Sequence, residues 1–297
     1  MQLNRTDSTR FSKAQGLLSR IVATCITAWM FGTFCSAAEL PHVPEPKPLD
    51  WRHEETRRFP AVDAQQGVAV DGQFFYTIST HALGKYRKDT GERVGGWEGP
   101  KEGPIKHLNA GVVVDGLLYC AQSNYPEQPP VSSVEIWNPK TMKHVNTHSF
   151  GRYEGSLTWI TRRNKNWIAC FAHYAKEGSE LGNPSLTQVV EFDDHWRRVG
   201  GWIFPEKLIK RFAGRSASGG AFGPGGFLFV TGHDAKELYV LSIPDTGSVL
   251  NWENTIPISA EGQSFSWDPT QPNAFYSISR RTKEVIASRI VPVSAKQ

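Results

Sequence analysis

Histidine or glutamate side chains occupy two matching places in four of five similar segments of the chain. His81, His173 and His233 follow the second apolar run of their segments, whereas Glu154 and Glu261 come just before the first. Imidazole nitrogens and carboxylate oxygens are ligands that divalent cations such as Zn²⁺ and Ca²⁺ use in proteins. A glutamate beside a neutral histidine can also act as a general base. The pattern therefore predicts metal binding or proton transfer where the segments meet.

Three sets of candidate site residues follow from these positions. The predicted catalytic residues are Glu154, His173 and His233. The same three residues, together with Glu261, are the predicted ligands of one divalent cation, Ca²⁺ or Zn²⁺. The predicted substrate-binding residues are Gln66, His81, Asn109, Asn124, Tyr174, Asp234 and Arg280. Among these, Arg280 suits a carboxylate, because a guanidinium can donate two parallel hydrogen bonds. The alternative is that these side chains only hydrogen-bond frayed strand ends and ordered water.

The five segments share one pattern of a small residue, an apolar alternation, a tight turn and a second apolar run. They begin at Gly67, Gly111, Gly155, Gly220 and Gly262. The first three segments start 44 residues apart. Asp71-Gly72 and Asp115-Gly116 separate apolar runs, which is a strong signal for a β-hairpin. The repeat therefore predicts one supersecondary unit copied five times.

Each unit continues with a third strand, a polar turn and an outer strand. Four short antiparallel strands every 40–50 residues or so form the blade of a β-propeller. The sequence thus predicts an all-β, five-bladed propeller, with a sixth degenerate blade in the longer third segment as the alternative. The last segment lacks an outer strand, and Glu54–Pro60 is predicted to supply it and so close the ring. A β-sandwich would not explain the recurring spacing.

Residues 1–38 have the features of a secretory signal peptide. Basic residues precede an apolar stretch from Ile21 to Cys35, and the small residues Ser36, Ala37 and Ala38 follow. The stretch falls short of the roughly 20 apolar residues that span a bilayer, although an uncleaved anchor is the alternative. The predicted organisation is a leader at 1–38, a Pro-rich strap at 39–53 and one propeller domain at 54–297. The sequence predicts export to the periplasm or the extracellular space, without a transmembrane segment once the leader is removed.

The net charge of the chain bears on its binding partners, and its cysteines bear on whether it forms a disulfide. Removing the leader lowers the formal net charge from +4 to about +1, which argues against nucleic acid because phosphate binding needs a gathered basic excess. Cys120 and Cys170 remain after cleavage. An oxidising compartment permits a disulfide between them, and two buried free thiols are the other interpretation.

The blade sequences resemble those of a group of propellers that includes lactonases, NHL-type repeats and glutamine cyclotransferases. The resemblance covers roughly residues 55–293 and rests on Gly67-Val-Ala-Val-Asp-Gly72 with Tyr86-Arg-Lys-Asp-Thr-Gly91. Gln66-Gly67 and Glu154-Gly155 are similar to the Gln-Gly and Glu-Gly that open strands in the cyclotransferases. Lactonases of this group hold a divalent ion with a Glu, an Asn and an Asp. By residue type, the resemblance makes Glu154 and Asn109 candidates for such ligands.

Two classes of function are compatible with the sequence. The first is an exported propeller that binds a small polar, acidic or carbohydrate-derived ligand in its central channel. As an enzyme of this kind it would be a lactonase, a cycloisomerase or a lyase, with or without a divalent cation. The second is a non-catalytic module whose loops, at 124–131 and 176–184, bind protein or glycan.

Overall fold

The computed structural model describes residues 50–152, 154–175 and 182–293. The described residues form twenty strands in five antiparallel sheets of four strands each. The predicted leader and most of the predicted strap lie outside the described residues. The described chain begins just before β1 (Trp51–Pro60), which starts three residues earlier than the sequence predicts.

Four sheets consist of consecutive strands, ordered from the inner to the outer edge. Blade 1 contains β2 (Gly67–Val70), β3 (Phe74–Ile78), β4 (Ala82–Arg87) and β5 (Arg93–Glu98). Blade 2 contains β6 (His107–Val114), β7 (Leu117–Ser123), β8 (Val131–Asn138) and β9 (Lys143–Arg152). Blade 3 contains β10 (Ser156–Arg163), β11 (Asn166–Ala172), β12 (Gln188–Phe192) and β13 (Arg198–Ile203). Blade 4 contains β14 (Gly219–Phe222), β15 (Leu228–Thr231), β16 (Glu237–Ser242) and β17 (Asn251–Pro257).

The fifth sheet joins the two ends of the described chain. It contains β18 (Ser266–Trp267), β19 (Ala274–Ser279) and β20 (Glu284–Pro292), and β1 pairs antiparallel with β20 as its outer strand. The predicted closure is confirmed, and the alternative of six blades is excluded. An N-terminal strand in the last blade ties the ring together by ladder hydrogen bonds, which leaves no gap between first and last blade.

Local turn chemistry explains why the hairpins form where the sequence predicts them. The Asp71 carboxylate accepts hydrogen bonds of 2.7 Å from the backbone amides of Gln73 and Phe74. Asp115 and Gly116 both have positive φ angles, 49° and 76°. A two-residue hairpin of this twist needs positive φ at both positions, which Asp-Gly tolerates well.

The hydrophobic core is divided into five clusters, one at each junction between neighbouring blades. Trp137 and Trp159 are fully buried within these clusters. Cys120 and Cys170 are also buried, and both are free thiols, so the disulfide alternative is excluded.

Short helices occur outside the sheets. Helix α1 spans Glu206–Arg211 and buries Leu208, and single 3₁₀ turns span Pro184–Leu186 and Pro224–Gly226. None of the helices in the described part of the chain has the length and apolar character of a membrane span.

Candidate functional site

The inner strands of neighbouring blades contact one another around a common axis. At the end of this axis where the inner strands begin, the chain encloses a cavity of about 110 Å³, which we call the inner cavity. Its lining residues are Gln66, His107, Asn109, Tyr125, Thr158, Tyr174, Arg215, Ser218, His233, Gln263 and Arg280. All five blades or the loops that join them contribute to this set, as a site on the ring axis requires.

Two β-bulges turn side chains of the inner strands into the inner cavity. The pairing of β6 with β7 shifts between Leu108 and Gly111, and the pairing of β10 with β11 shifts between Leu157 and Trp159. A bulge leaves a residue unpaired and redirects its side chain. Asn109 and Thr158 are the residues affected. The Asn109 amide donates to the Leu157 carbonyl at 2.9 Å, and the Thr158 hydroxyl donates to the Ala217 carbonyl at 2.8 Å.

The backbone of blade 5 is strained at Gln263, a residue with which it lines the inner cavity. Gln263 has a φ of 68°, in the left-handed region that non-glycine residues rarely adopt. Two hydrogen bonds stabilise this conformation. The backbone N–H of Gln263 donates to Gly232 O at 2.9 Å, and its side-chain Nε2 donates to His233 O at 3.2 Å. Strain of this kind costs roughly 1–3 kcal/mol and concentrates at functional sites.

A wider and more charged depression opens above the inner cavity. This outer basin has a volume of about 620 Å³ and shares Gln66, His233 and Arg280 with the inner cavity. Its remaining lining residues are Gln65, Asp234, Lys236, Glu261, Arg281 and Lys283. A ligand can therefore extend from the inner cavity into the outer basin past His233 and Arg280.

His233 is held between a carboxylate and a guanidinium. Its Nδ1 lies 2.6 Å from Asp234 Oδ1, and its Nε2 lies 3.2 Å from Arg280 Nη1. Because a guanidinium only donates, Nε2 must accept, so in the neutral ring Nδ1 carries the proton and donates to Asp234. Burial lowers the pKa of His233 below its ordinary value and outweighs the opposing effect of Asp234. The ring is therefore neutral near pH 7, with a basic lone pair at Nε2.

The inner cavity carries positive charge without an acidic lining residue. Arg215 and Arg280 both line it, and its lining includes no Asp or Glu. Neither guanidinium forms an ion pair with a carboxylate among the described residues. Both charges also act on His233, since each lowers the pKa of its ring. Two uncompensated cations beside a small cavity favour an anion there.

The uncharged lining side chains supply hydrogen-bond donors. The rings of Tyr125 and Tyr174 lie 4.6 Å apart between centroids. Burial raises the pKa of Tyr174 to about 12. Its hydroxyl oxygen accepts a hydrogen bond of 3.4 Å from Ser216 Oγ, so its own proton remains available to the cavity. Burial, with a smaller contribution from His81, lowers the pKa of His107 to about 4, so that this ring is neutral as well.

The structure brings many of the predicted site residues together. Gln66, Asn109, Tyr174, His233 and Arg280 line the inner cavity. Asp234 and Glu261 line the outer basin. Glu261 lies 3.5 Å from Arg281 Nε, and this contact is away from the inner cavity.

Four predicted residues lie elsewhere. Glu154 approaches Arg198 of the outer strand β13 at 4.0 Å and lines neither space. His173 is buried, with its backbone amide donating to Thr187 Oγ1 at 3.1 Å. His81 lines neither space, although its electrostatic effect contributes to the lowered pKa of His107. Asn124 stabilises the loop that follows it, because its Oδ1 accepts from Val131 N at 2.8 Å and its Nδ2 donates to Pro129 O at 3.1 Å.

The predicted metal ligands do not form a coordination set. No group of three or more His, Cys, Asp or Glu side chains in the described ranges is arranged to hold a metal ion. Glu154 and His173 lie apart from the space that His233 lines. The residues that converge on the axis are amides, hydroxyls, neutral histidines and arginines, and two guanidinium groups would repel a cation. The donor set thus does not fit a divalent cation.

Six cavity residues are absent from the three predicted sets: His107, Tyr125, Thr158, Arg215, Ser218 and Gln263. One signal could have found Tyr125. Tyr125, Tyr174 and His233 each come two residues after the end of a second strand, at β7, β11 and β15. Successive side chains of an extended chain point to opposite sides, so His173, one residue earlier than Tyr174, points elsewhere.

The fold and this axial site define the chain as a five-bladed β-propeller with a polar, positively charged central cavity. No protein-family model matches the chain, and no curated protein matches it in sequence. A luciferin-regenerating enzyme is structurally similar with a TM-score of 0.52, at 12% identity over 83% of this chain and 97% of that one. This likeness shows the propeller fold alone.

Two other solved propellers are less similar. The PQQ-bound aldose sugar dehydrogenase from Streptomyces coelicolor has a TM-score of 0.47, at 10% identity over 83% of this chain and 100% of that one. A gluconolactonase from Xanthomonas campestris has a TM-score of 0.44, at 11% identity over 73% of this chain and 69% of that one. At these values neither adds to the assignment of fold.

Proposed function

We propose that this propeller binds a small organic acid at its axis, with the carboxylate of the ligand in the inner cavity. The observation that carries the proposal is that Arg215 and Arg280 both line a cavity whose lining contains no Asp or Glu. A bound carboxylate would neutralise one of the two positive charges and could accept one hydrogen bond from each guanidinium. The neighbouring amides of Asn109 and Gln66 are suited to the remaining lone pairs.

Cavity size determines how such a ligand would lie. The inner cavity, at about 110 Å³, is well below the roughly 300–1,000 Å³ of sites that enclose a drug-sized molecule. It therefore suits an acidic head group. The body of the ligand would extend into the outer basin of about 620 Å³, past His233.

The His233–Asp234 pair favours a catalytic role on that ligand, and we propose hydrolysis of a lactone. Water would attack the lactone carbonyl carbon while His233 Nε2 takes one of its protons. The Tyr174 hydroxyl would donate a hydrogen bond to the carbonyl oxygen as negative charge develops. The ring oxygen would then leave with the proton from His233, so that lactone and water give one hydroxy acid. A ligand carboxylate on Arg280 would draw this guanidinium away from Nε2 and free the lone pair.

The binding part is tested by calorimetric titration of the full chain with small mono- and dicarboxylates. Arg280→Gln and Arg215→Gln should each weaken binding about 10- to 100-fold, because hydrogen bonds to charged groups contribute roughly 1.5–3 kcal/mol. Arg281→Gln is the matched control, since Arg281 lines only the outer basin and lies beside Glu261. Equal affinities for all four proteins would overturn the proposal.

The catalytic part is tested with two lactones of similar size, D-glucaro-1,4-lactone, which has a carboxylate, and D-glucono-1,4-lactone, which has none. The acidic lactone should be hydrolysed with the higher kcat/KM. His233→Gln should lower kcat by about 10²–10⁴-fold, the usual contribution of a general base. Carboxylate binding without turnover of either lactone would refute the catalytic part and leave the binding part intact.

Export is part of the same proposal, and it rests on the sequence of residues 1–38. Mass spectrometry of the protein purified after expression in a bacterium should find a mature chain that begins at Glu39. An intact Met1 end would contradict cleavage.

A further inference from the structure

A second pocket lies on the side of the ring, away from the axis, between blades 1 and 2. This groove has a volume of about 410 Å³. Its apolar walls are formed by Trp97, Pro100, Pro104, Ile105 and Val131. None of the residues proposed to bind the acid at the axis lines it.

A buried carboxylate lies on the polar side of the groove. Glu135 is only 4% exposed, although it lines the groove. Its Oε1 accepts from Ser133 Oγ at 2.6 Å, and its Oε2 accepts from Thr147 Oγ1 at 2.6 Å. His144 Nε2 lies 2.7 Å from the same Oε2. Two hydroxyl donors and an imidazole thus hold the carboxylate in one orientation.

Gln122 has a buried acceptor that the protein leaves without a partner. Ser133 gives its hydroxyl proton to Glu135, so Ser133 Oγ must accept from the Gln122 Nε2 at 2.9 Å. This contact determines the orientation of the amide, because only the nitrogen end can donate. Gln122 Oε1 then has no hydrogen-bond partner among the described residues. An unpaired buried acceptor is unfavourable, and Gln122 is 6% exposed and lines the groove.

The groove therefore offers hydrogen-bond acceptors and a negative charge within apolar walls. Neither lysine nor arginine occurs among the described residues that line it. Its chemistry is the reverse of that at the axis, where two guanidinium groups line a cavity without Asp or Glu. A cationic donor with an apolar body fits these surfaces, since an ammonium carries three donors and can also lie against the Trp97 ring.

We infer that the groove between blades 1 and 2 is a binding site for a small organic ammonium ion with an apolar or aromatic body. The ammonium group donates to the acceptors of Glu135 and Gln122. The apolar body packs between Trp97 on one side and Pro104 and Ile105 on the other. The site is independent of the acid-binding cavity, and neither requires the other.

The probe is 2-phenylethylamine, which is positively charged at neutral pH, and the comparison ligand is phenylacetate, which has a similar body and the opposite charge. Calorimetry of the full chain at pH 7 should show binding of the amine, and Glu135→Gln should weaken that binding about 10- to 100-fold. Phenylacetate affinity should not change in this variant. Tryptophan fluorescence should report the amine, because Trp97 lines the groove.

The matched control is Glu191→Gln. Glu191 occupies the place in β12 that Glu135 occupies in β8, each directly after a valine of the third strand. It accepts from Asn166 Nδ2 at 2.8 Å, removes the same net charge when substituted, and does not line the groove. This variant should bind the amine as the natural sequence does.

A steric variant keeps the proposal testable if Glu135→Gln fails to fold. Ser149 is an exposed residue of the outer strand β9 that lines the groove, so Ser149→Trp should fill the space and abolish amine binding while Glu135 stays in place. Amine binding that survives Ser149→Trp, equal losses in the Glu135 and Glu191 variants, or no amine binding by the unmodified chain would each overturn the inference.

Discussion

A buried ion pair joins the first blade of the ring to the last. Lys88 Nζ lies 2.7 Å from Asp268 Oδ2, and their side chains are 10% and 1% exposed. Lys88 also donates to Asp71 O at 3.1 Å and to Thr270 Oγ1 at 3.3 Å. Burial alone would raise the pKa of Asp268, but hydrogen bonds from Lys88 and Thr270 lower it below its ordinary value. Asp268 is therefore a buried anion that depends on Lys88.

Lys88→Met should remove the cation and leave that anion buried. The loss of one partner of a buried pair costs about 3–5 kcal/mol, because the remaining charge has lost its compensation. For a domain of this size each kcal/mol corresponds to roughly 2–4 °C, so the Tm should fall by about 6–20 °C. The double variant Lys88→Met with Asp268→Asn removes both charges and should recover most of the loss.

Urea denaturation followed by tryptophan fluorescence and circular dichroism measures the free energy of unfolding. The control is Arg87→Met, because the neighbouring pair Arg87–Asp89 has side chains that are 46% and 60% exposed. Such surface pairs contribute about 0–1 kcal/mol. If Lys88→Met and Arg87→Met lowered stability equally, the contact would not act as a buried pair and the reasoning would be refuted.

Three further predictions concern pH and packing. His107 titrates at about 4 in the folded chain against 6.5 when unfolded, so the unfolded state binds more protons and stability falls between these pH values as pH decreases. In the His107→Gln variant, the free energy of unfolding should fall by about 3 kcal/mol less between pH 7 and pH 4 than it does in the natural sequence. Urea denaturation at both pH values measures this difference. The acid limb of lactone turnover should lie below pH 6.5, because His233 must be unprotonated and its pKa is lowered. Asp234→Asn should move the limb still lower, since Asp234 raises that pKa, and an unmoved limb would contradict this assignment of the base. Phe59→Ala should lower the free energy of unfolding measured in urea by about 3–5 kcal/mol, because Phe59 is 3% exposed in the hydrophobic cluster between blades 5 and 1. Val62→Ala, at a site that is 71% exposed, should change this free energy little.

The number and order of blades could be predicted from the sequence because their determinants are local. Asp71 and Asp115 set hairpin turns within a few residues, and apolar alternation identifies the strands that flank them. The closing strand could be predicted too, since the fifth unit lacked an outer strand and Glu54–Pro60 was unassigned. The sequence also indicated which positions lie near the axis, because strand ends in every blade reach the same face.

The direction of each side chain at those strand ends was decided only by the tertiary structure. Gly155 has a φ of 105°, which turns the chain so that Glu154 lies near Arg198 instead of at the axis. The bulge that presents Thr158 breaks the alternation from which the sequence would place it. Arg215 reaches the inner cavity from a turn in which Ala213 and Gly214 have φ angles of 51° and 78°.

Local features of the sequence were enough to predict five similar sheets with polar groups gathered at one end of them. The folded chain was needed to show that these groups are two arginines and a neutral histidine, and not a set of metal ligands. This difference arises because side chains alternate with a period of two in an extended chain. A shift of one residue by a bulge or a left-handed turn exchanges a side chain that faces the axis for one that faces a neighbouring blade.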